Sequence, residues 1–218
     1  ADVDYFVPHR IEEGYGLKIS WKKPLGSGYS SISIADGHAV TMFSDSTFDN
    51  VISLNAETGA ENWRYQIDST HQVNSPSYWG PLSTPAISDG KVYGFGPKGQ
   101  LFALNLKTGK EVWKIDVVKE YDATKPYWGY TTSPLVYEDV LVLETGGMDK
   151  TISGFDKNSG KLLWSTGTDT VQYQSPILFN VDDKAHLVCV GDKYLYGLNP
   201  KDGHKYWEYF HNSKFNST

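Results

Sequence analysis

The chain has 218 residues, of which 39% are apolar and 21% charged, and a formal charge of −6 at pH 7. A chain of that size and composition folds and buries about 70% of its unfolded surface, which excludes a disordered protein. Its cations, such as Lys22 and Lys23, are scattered rather than clustered, which argues against a general nucleic-acid binder.

The chain opens at Ala1-Asp2-Val3-Asp4 without a methionine or a hydrophobic leader. A signal peptide already removed accounts for this, as does a trimmed chain, and the expectation is an extracytoplasmic protein. No stretch reaches the roughly 18 apolar residues of a membrane-spanning helix.

Residues 1–21 read as an N-terminal segment ending in Ile19-Ser20-Trp21, the outermost strand of a blade whose other three strands are missing. Residues 22–218 then hold four similar units, at about 28–67, 80–117, 130–168 and 173–210. The third shows the parse: Ser133–Tyr137, Val140–Glu144, Thr151–Phe155 and Lys161–Trp164 are short β-rich segments divided by Asp139, Gly146-Gly147 and Asn158-Ser159-Gly160. The first unit starts at Ser31, the second at Thr84-Pro85 and the fourth at Ser175-Pro176.

Trp63, Trp113, Trp164 and Trp207 each close an Asn/Asp-x-x-Thr/Ser/Asp-Gly-x-x-x-Trp phrase, and with Trp21 they recur at steps of 42, 50, 51 and 43 residues. The glycine supplies the positive φ of a tight hairpin. A period of this size made of strands and turns predicts an all-β propeller of four-stranded antiparallel blades. One blade cannot bury both its faces, so blades stack around an axis. Four blades with an orphan strand predict part of a larger ring, or two copies closing into one.

At these phrases the chain resembles the pyrroloquinoline-quinone-type propeller superfamily. The resemblance covers Leu54–Trp63, Leu104–Trp113, Phe155–Trp164 and Leu198–Trp207. It implies rings of seven or eight blades, and tryptophans that dock each blade onto the next. It also implies two kinds of function. Outer-membrane assembly lipoproteins and sensor domains of this superfamily bind proteins, whereas its quinoprotein dehydrogenases carry a vicinal cysteine disulfide, a calcium held by Glu and Asn, and an Asp base. Gly26-Ser27-Gly28-Tyr29-Ser30-Ser31 with Ala35-Asp36-Gly37 is similar to secreted members without demonstrated catalysis. Cys189 is the only cysteine, so the vicinal disulfide cannot form. The expectation is therefore a non-catalytic protein-interaction scaffold without a cofactor. A quinone- or small-molecule-binding propeller using pyrroloquinoline quinone with calcium is the alternative, and a structural subunit of a larger assembly is a third.

Gly94-Phe95-Gly96-Pro97-Lys98-Gly99 matches a dinucleotide fingerprint, but a strand rather than a helix follows it, so it reads as a hairpin turn. Tyr78-Trp79-Gly80 and Tyr127-Trp128-Gly129 lie 49 residues apart, each just ahead of a blade. With Tyr29, Tyr130 and Tyr173 they are the candidate ligand or partner face, the alternative being rings that cover the gaps between blades. Asp45, Asp49 and Asn50 are candidate calcium donors, or a solvated hairpin loop. Asn216-Ser217-Thr218 fits a glycosylation sequon.

Overall fold

The computed structural model describes residues 19–73, 79–171 and 173–211. Tyr78, the sequon and the first eighteen residues lie outside these. Among the described residues, four antiparallel sheets of four strands follow one another in chain order. The first holds β1 (Ser33–Ala35), β2 (His38–Ser44), β3 (Phe48–Asn55) and β4 (Glu61–Ser69); the second holds β5 (Ala86–Ser88), β6 (Lys91–Phe95), β7 (Gln100–Asn105) and β8 (Glu111–Asp116). The third holds β9 (Leu135–Tyr137), β10 (Val140–Glu144), β11 (Ile152–Asp156) and β12 (Leu162–Thr166). The fourth holds β13 (Ile177–Val181), β14 (Lys184–Val190), β15 (Tyr194–Leu198) and β16 (Lys205–Phe210). The one helix among the described residues, α1 (Val117–Tyr121), is short and leaves the second sheet, with the Asp116 side chain accepting from the Lys119 amide at its start.

The Asn/Asp-x-x-Thr/Ser/Asp-Gly phrase builds the turn between the third and fourth strand of each sheet. Asn105 Oδ1 accepts from the Thr108 amide at 3.0 Å and from the Thr108 hydroxyl at 3.0 Å, and Gly109 completes the turn at φ 68°. The tryptophan then faces a small residue on the neighbouring strand: Ser53 for Trp63, Ala103 for Trp113, Gly154 for Trp164 and Gly197 for Trp207. A register shift beside each of these pairs re-aims the strand in the same way.

The indoles of Trp63, Trp113 and Trp164 reach the turn of the following sheet. A Cβ built on Gly109 would lie 2.6 Å from the Trp63 ring, and one on Gly160 would lie 2.7 Å from Trp113. Trp63 Nε1 donates to Leu106 O at 2.7 Å and Trp113 Nε1 to Lys157 O at 3.1 Å. Trp164 lies over Gly203, but its buried Nε1 finds no acceptor. Trp207 is 38% exposed, because no described sheet follows the fourth.

Ile19-Ser20-Trp21 pairs with no strand among the described residues, which do not include the three strands it is expected to complete. Trp21 still covers Gly59 and donates to Ala56 O at 2.9 Å. Pairing within the sheets also starts later than Ser31, Thr84, Ser133 and Ser175. Those residues bond sideways instead. Ser31 N donates to Thr84 Oγ1, Thr84 N to Ser133 Oγ and Ser133 N to Ser175 Oγ, at 3.0, 3.0 and 2.9 Å.

The core lies between sheets. Val40, Met42, Val51 and Trp63 pack on Val92, Phe102 and Leu104; Tyr93, Phe95, Leu101 and Trp113 pack on Leu141, Leu143 and Phe155. Val140, Val142 and Ile152 pack on Leu187, Cys189 and Tyr196. Trp21 and Leu25 cover Ala39, Phe43, Ile52 and Leu54 on the outer side of the first sheet. Ile177, Phe179, Tyr209 and Phe210 of the fourth sheet remain exposed. The Gly94–Gly99 stretch is a hairpin, closed by Gly96 N donating to Gln100 O at 2.7 Å.

Candidate functional site: an aromatic cleft on the loop face

Strand direction alternates, so the links between sheets and the turns between second and third strands emerge on one face of the array. The Asx turns emerge on the other. On the first of these faces Tyr29, Leu82, Trp128, Thr131 and Tyr173 line an open cleft of about 470 Å³. Tyr29 lies just before β1, Leu82 before β5, Trp128 and Thr131 before β9, and Tyr173 before β13. Each sheet's entry therefore contributes to one site. Its walls are aromatic and aliphatic with the hydroxyls of Tyr29, Thr131 and Tyr173, and none of the five is a Lys, Arg, His, Asp or Glu. Such a surface suits an uncharged group with a flat or apolar body.

The structure brings together three of the aromatic residues expected here: Tyr29, Trp128 and Tyr173. Tyr29 is 54% and Trp128 40% exposed, and the Tyr173 hydroxyl stands 3.5 Å from the Trp128 amide nitrogen. Tyr127, 67% exposed, packs edge-on against Trp128 at 4.9 Å between centroids and extends the apolar surface beyond the cleft. Trp79 is half-buried and does not line the cleft; its Nε1 donates to Val73 O at 3.1 Å.

Tyr130 does not belong to the exposed face. It is buried in the core, its ring 4.7 Å from Phe95 and its hydroxyl donating to Thr145 O at 2.9 Å. Tyr130 N also donates to Pro97 O, which turns this side chain inward just after Trp128 points outward. Burial holds its phenol well above the usual range.

Of the candidate calcium donors, both Asp45 oxygens and Asp49 Oδ2 are already engaged by the chain, whereas Asp49 Oδ1 is buried without a partner. Asp45 Oδ1 accepts from the Thr47 and Phe48 amides at 3.0 and 2.8 Å, and its Oδ2 accepts from Asn50 Nδ2 at 3.1 Å. The Phe48 amide in particular keeps the Asp45 carboxyl below its ordinary value. Asp49 is not solvated. It is buried, accepts from the His71 amide at 3.0 Å, and is pushed up to about 6 by that burial. Among the described residues no three His, Cys, Asp or Glu side chains are grouped to hold a metal ion.

Sequence reasoning missed Leu82 and Thr131. The repeat carried the signal: each stands two residues after the glycine of a Tyr-Trp-Gly phrase. It also missed His71, which joins the Trp128 carbonyl at 3.0 Å, and Glu144, a fully buried carboxyl.

Quinohemoprotein alcohol dehydrogenase ADH IIB of Pseudomonas putida is 29% identical over 166 residues, covering 72% of this chain and 23% of that protein. Outer membrane protein assembly factor BamB of Nitrosomonas eutropha is 26% identical over 184 residues, covering 84% of this chain and 41% of that protein. The chain thus spans less than half the length of these curated relatives. Among solved structures, BamB from Moraxella catarrhalis superposes with a TM-score of 0.60 at 20% identity, over 87% of this chain and 51% of that one, and shows the same fold. The family model described as outer membrane protein assembly factor BamB matches residues 49–218, most of the chain, and the chain belongs to that family of propeller repeats.

Proposed function

We propose that the chain is part of a non-catalytic, extracytoplasmic propeller of seven or eight blades that acts as a protein-interaction scaffold, binding its partner on the loop face around the aromatic cleft. The observation that carries this reading is the asymmetry of the two faces. Tyr29, Tyr127, Trp128 and, 84% exposed in the turn after β10, Met148 all stand on one face. The opposite face presents polar turns such as Lys107-Thr108-Gly109-Lys110 and Lys201-Asp202-Gly203. Aromatic and methionine side chains are the enriched anchors of protein interfaces, and few of them carry most of the binding energy. The repeated Trp–turn contacts serve as joints that keep the four sheet entries in register. The similarity to an assembly factor supports this reading.

Its test is partner recovery from the native envelope. Replacing Tyr29, Trp128 and Tyr173 together by Ala should abolish recovery of the partner that the unaltered protein retains. Replacing Lys107 and Lys110 on the other face should leave it intact. Equal recovery by both variants contradicts the proposal.

The dehydrogenase relatives favour a second reading, in which the cleft takes a flat quinone. The donors on this chain do not fit the calcium–quinone arrangement. Cys189 is single and buried, both Asp45 oxygens are engaged as described, and Asp49 Oδ2 is held by the His71 amide. Uptake of added quinone with calcium, followed by absorption, tests it; a bound chromophore would displace the scaffold reading.

A further inference from the structure

One residue that does not line the cleft reaches three of its walls. His71 follows β4 and is buried. Its amide donates to Asp49 Oδ2 at 3.0 Å, and its carbonyl accepts from Gly80 N at 3.1 Å. Gly80 stands two residues before Leu82, and the intervening Pro81 accepts from Tyr29 N at 2.9 Å. The ring itself turns the other way, placing Nε2 3.0 Å from Trp128 O. The chain there is closely fitted. A Cβ on Gly129 would lie 2.8 Å from that nitrogen and 2.9 Å from Pro97 O, and Gly129 has φ 90°, a conformation that side chains disfavour.

We propose that His71 is a positioning residue for the aromatic cleft, its imidazole setting the Trp128 wall by donating from Nε2 to the Trp128 carbonyl. The proposal rests on the reading of the cleft as a binding site. A carbonyl only accepts, so the bond requires the proton on Nε2. A buried ring held at one end by its own backbone and at the other by Trp128 O transmits its position to the indole next to it. Ligand-contacting side chains depend on such supporting bonds for their geometry.

The experiment uses the full protein labelled with 5-fluorotryptophan, the Trp128 resonance being assigned with Trp128→Phe. N-acetyltryptophanamide, an uncharged aromatic probe, is titrated in. His71→Leu should shift and broaden the Trp128 resonance, leave those of Trp63 and Trp113 in place, and weaken the probe about tenfold. His71→Gln, whose amide can still donate, should keep the resonance and hold the affinity within about twofold of the wild type. An unmoved Trp128 in His71→Leu overturns the proposal. So does equal disturbance of Trp63 and Trp113, or failure of the glutamine to rescue. A probe that leaves Trp128 unmoved in the wild type counts against the cleft as a site, while the probe-free spectra still decide the role of His71. Should the leucine variant not fold, ¹⁵N spectra of the wild-type imidazole decide: a proton on Nε2 supports the proposal and one on Nδ1 refutes it.

Discussion

The backbone N–H of Thr84 donates to the Ser133 hydroxyl across two sheets, at 3.0 Å. Ser31 with Thr84, and Ser133 with Ser175, repeat the relationship, so a hydroxyl from the entry of the second, third and fourth sheets accepts from the entry before it. The innermost strands of successive sheets are thereby stitched at the end where the cleft opens. Ser133→Ala should leave the Thr84 amide unpaired and cost about 1 kcal/mol in urea unfolding, while Ser133→Thr should cost less. An alanine variant as stable as the parent would show that water replaces the bond.

The indole contacts make a sharper prediction. Trp113 is buried, covers Gly160 and donates to Lys157 O, so Trp113→Ala should cost about 3–5 kcal/mol. Trp207 is 38% exposed in this array, and Trp207→Ala should cost less than about 1 kcal/mol in the 218-residue chain. In a longer protein with a sheet beyond the fourth, the two substitutions should converge. Equilibrium unfolding of both variants in both lengths checks it.

Glu144 predicts a pH dependence. Burial raises its carboxyl from 4.5 to about 8, and the Val190 amide at 3.3 Å opposes this; its Oε2 is buried without a partner. The folded protein then holds a proton that the unfolded chain releases above its ordinary value. Stability contributed by this group is fully present below that value and is lost as pH rises through about 8. Asp49, raised to about 6, adds the same sign over a lower range. Glu144→Gln should stabilise the protein at pH 8 by on the order of 3 kcal/mol and flatten the decline above pH 6. An unchanged pH profile would place the carboxylate in contact with solvent.

Lys157 offers a fourth test. Its ammonium sits between two turns, 2.6 Å from Asp89 and 3.3 Å from Asp139, and donates to Glu138 O at 2.6 Å. In the preceding phrases Ala56 and Leu106 hold the same position. Lys157→Leu should therefore be accommodated, lowering the melting temperature less than Trp113→Ala does. A larger loss would show that this clip, and not the apolar stem of Lys157, joins the second and third sheets.

The parts of the fold legible in the sequence are the local ones. Asn105, Thr108 and Gly109 close a turn within five residues, so their spacing announces it wherever the turn sits. Trp63 and Trp113 could be read from the same phrase. The cleft was half legible. Trp128 and Tyr130 are two residues apart and look alike as sequence, yet one faces outward and the other buries its hydroxyl on Thr145. The deciding bonds come from Pro97 and Thr145, on other elements. Glu144 was invisible for the same reason: its partner amide, Val190, is 46 residues away on the next sheet.

The central claim is that the partner sits on the cleft face. Site-specific photo-crosslinking tests it most directly, with a photoreactive phenylalanine analogue in place of Tyr127, and in separate proteins in place of Met148 and of Lys107. Irradiation in intact native cells should give one discrete protein adduct from positions 127 and 148 and none from 107. Adducts from position 107 alone, or none from either cleft-face position, would contradict the account.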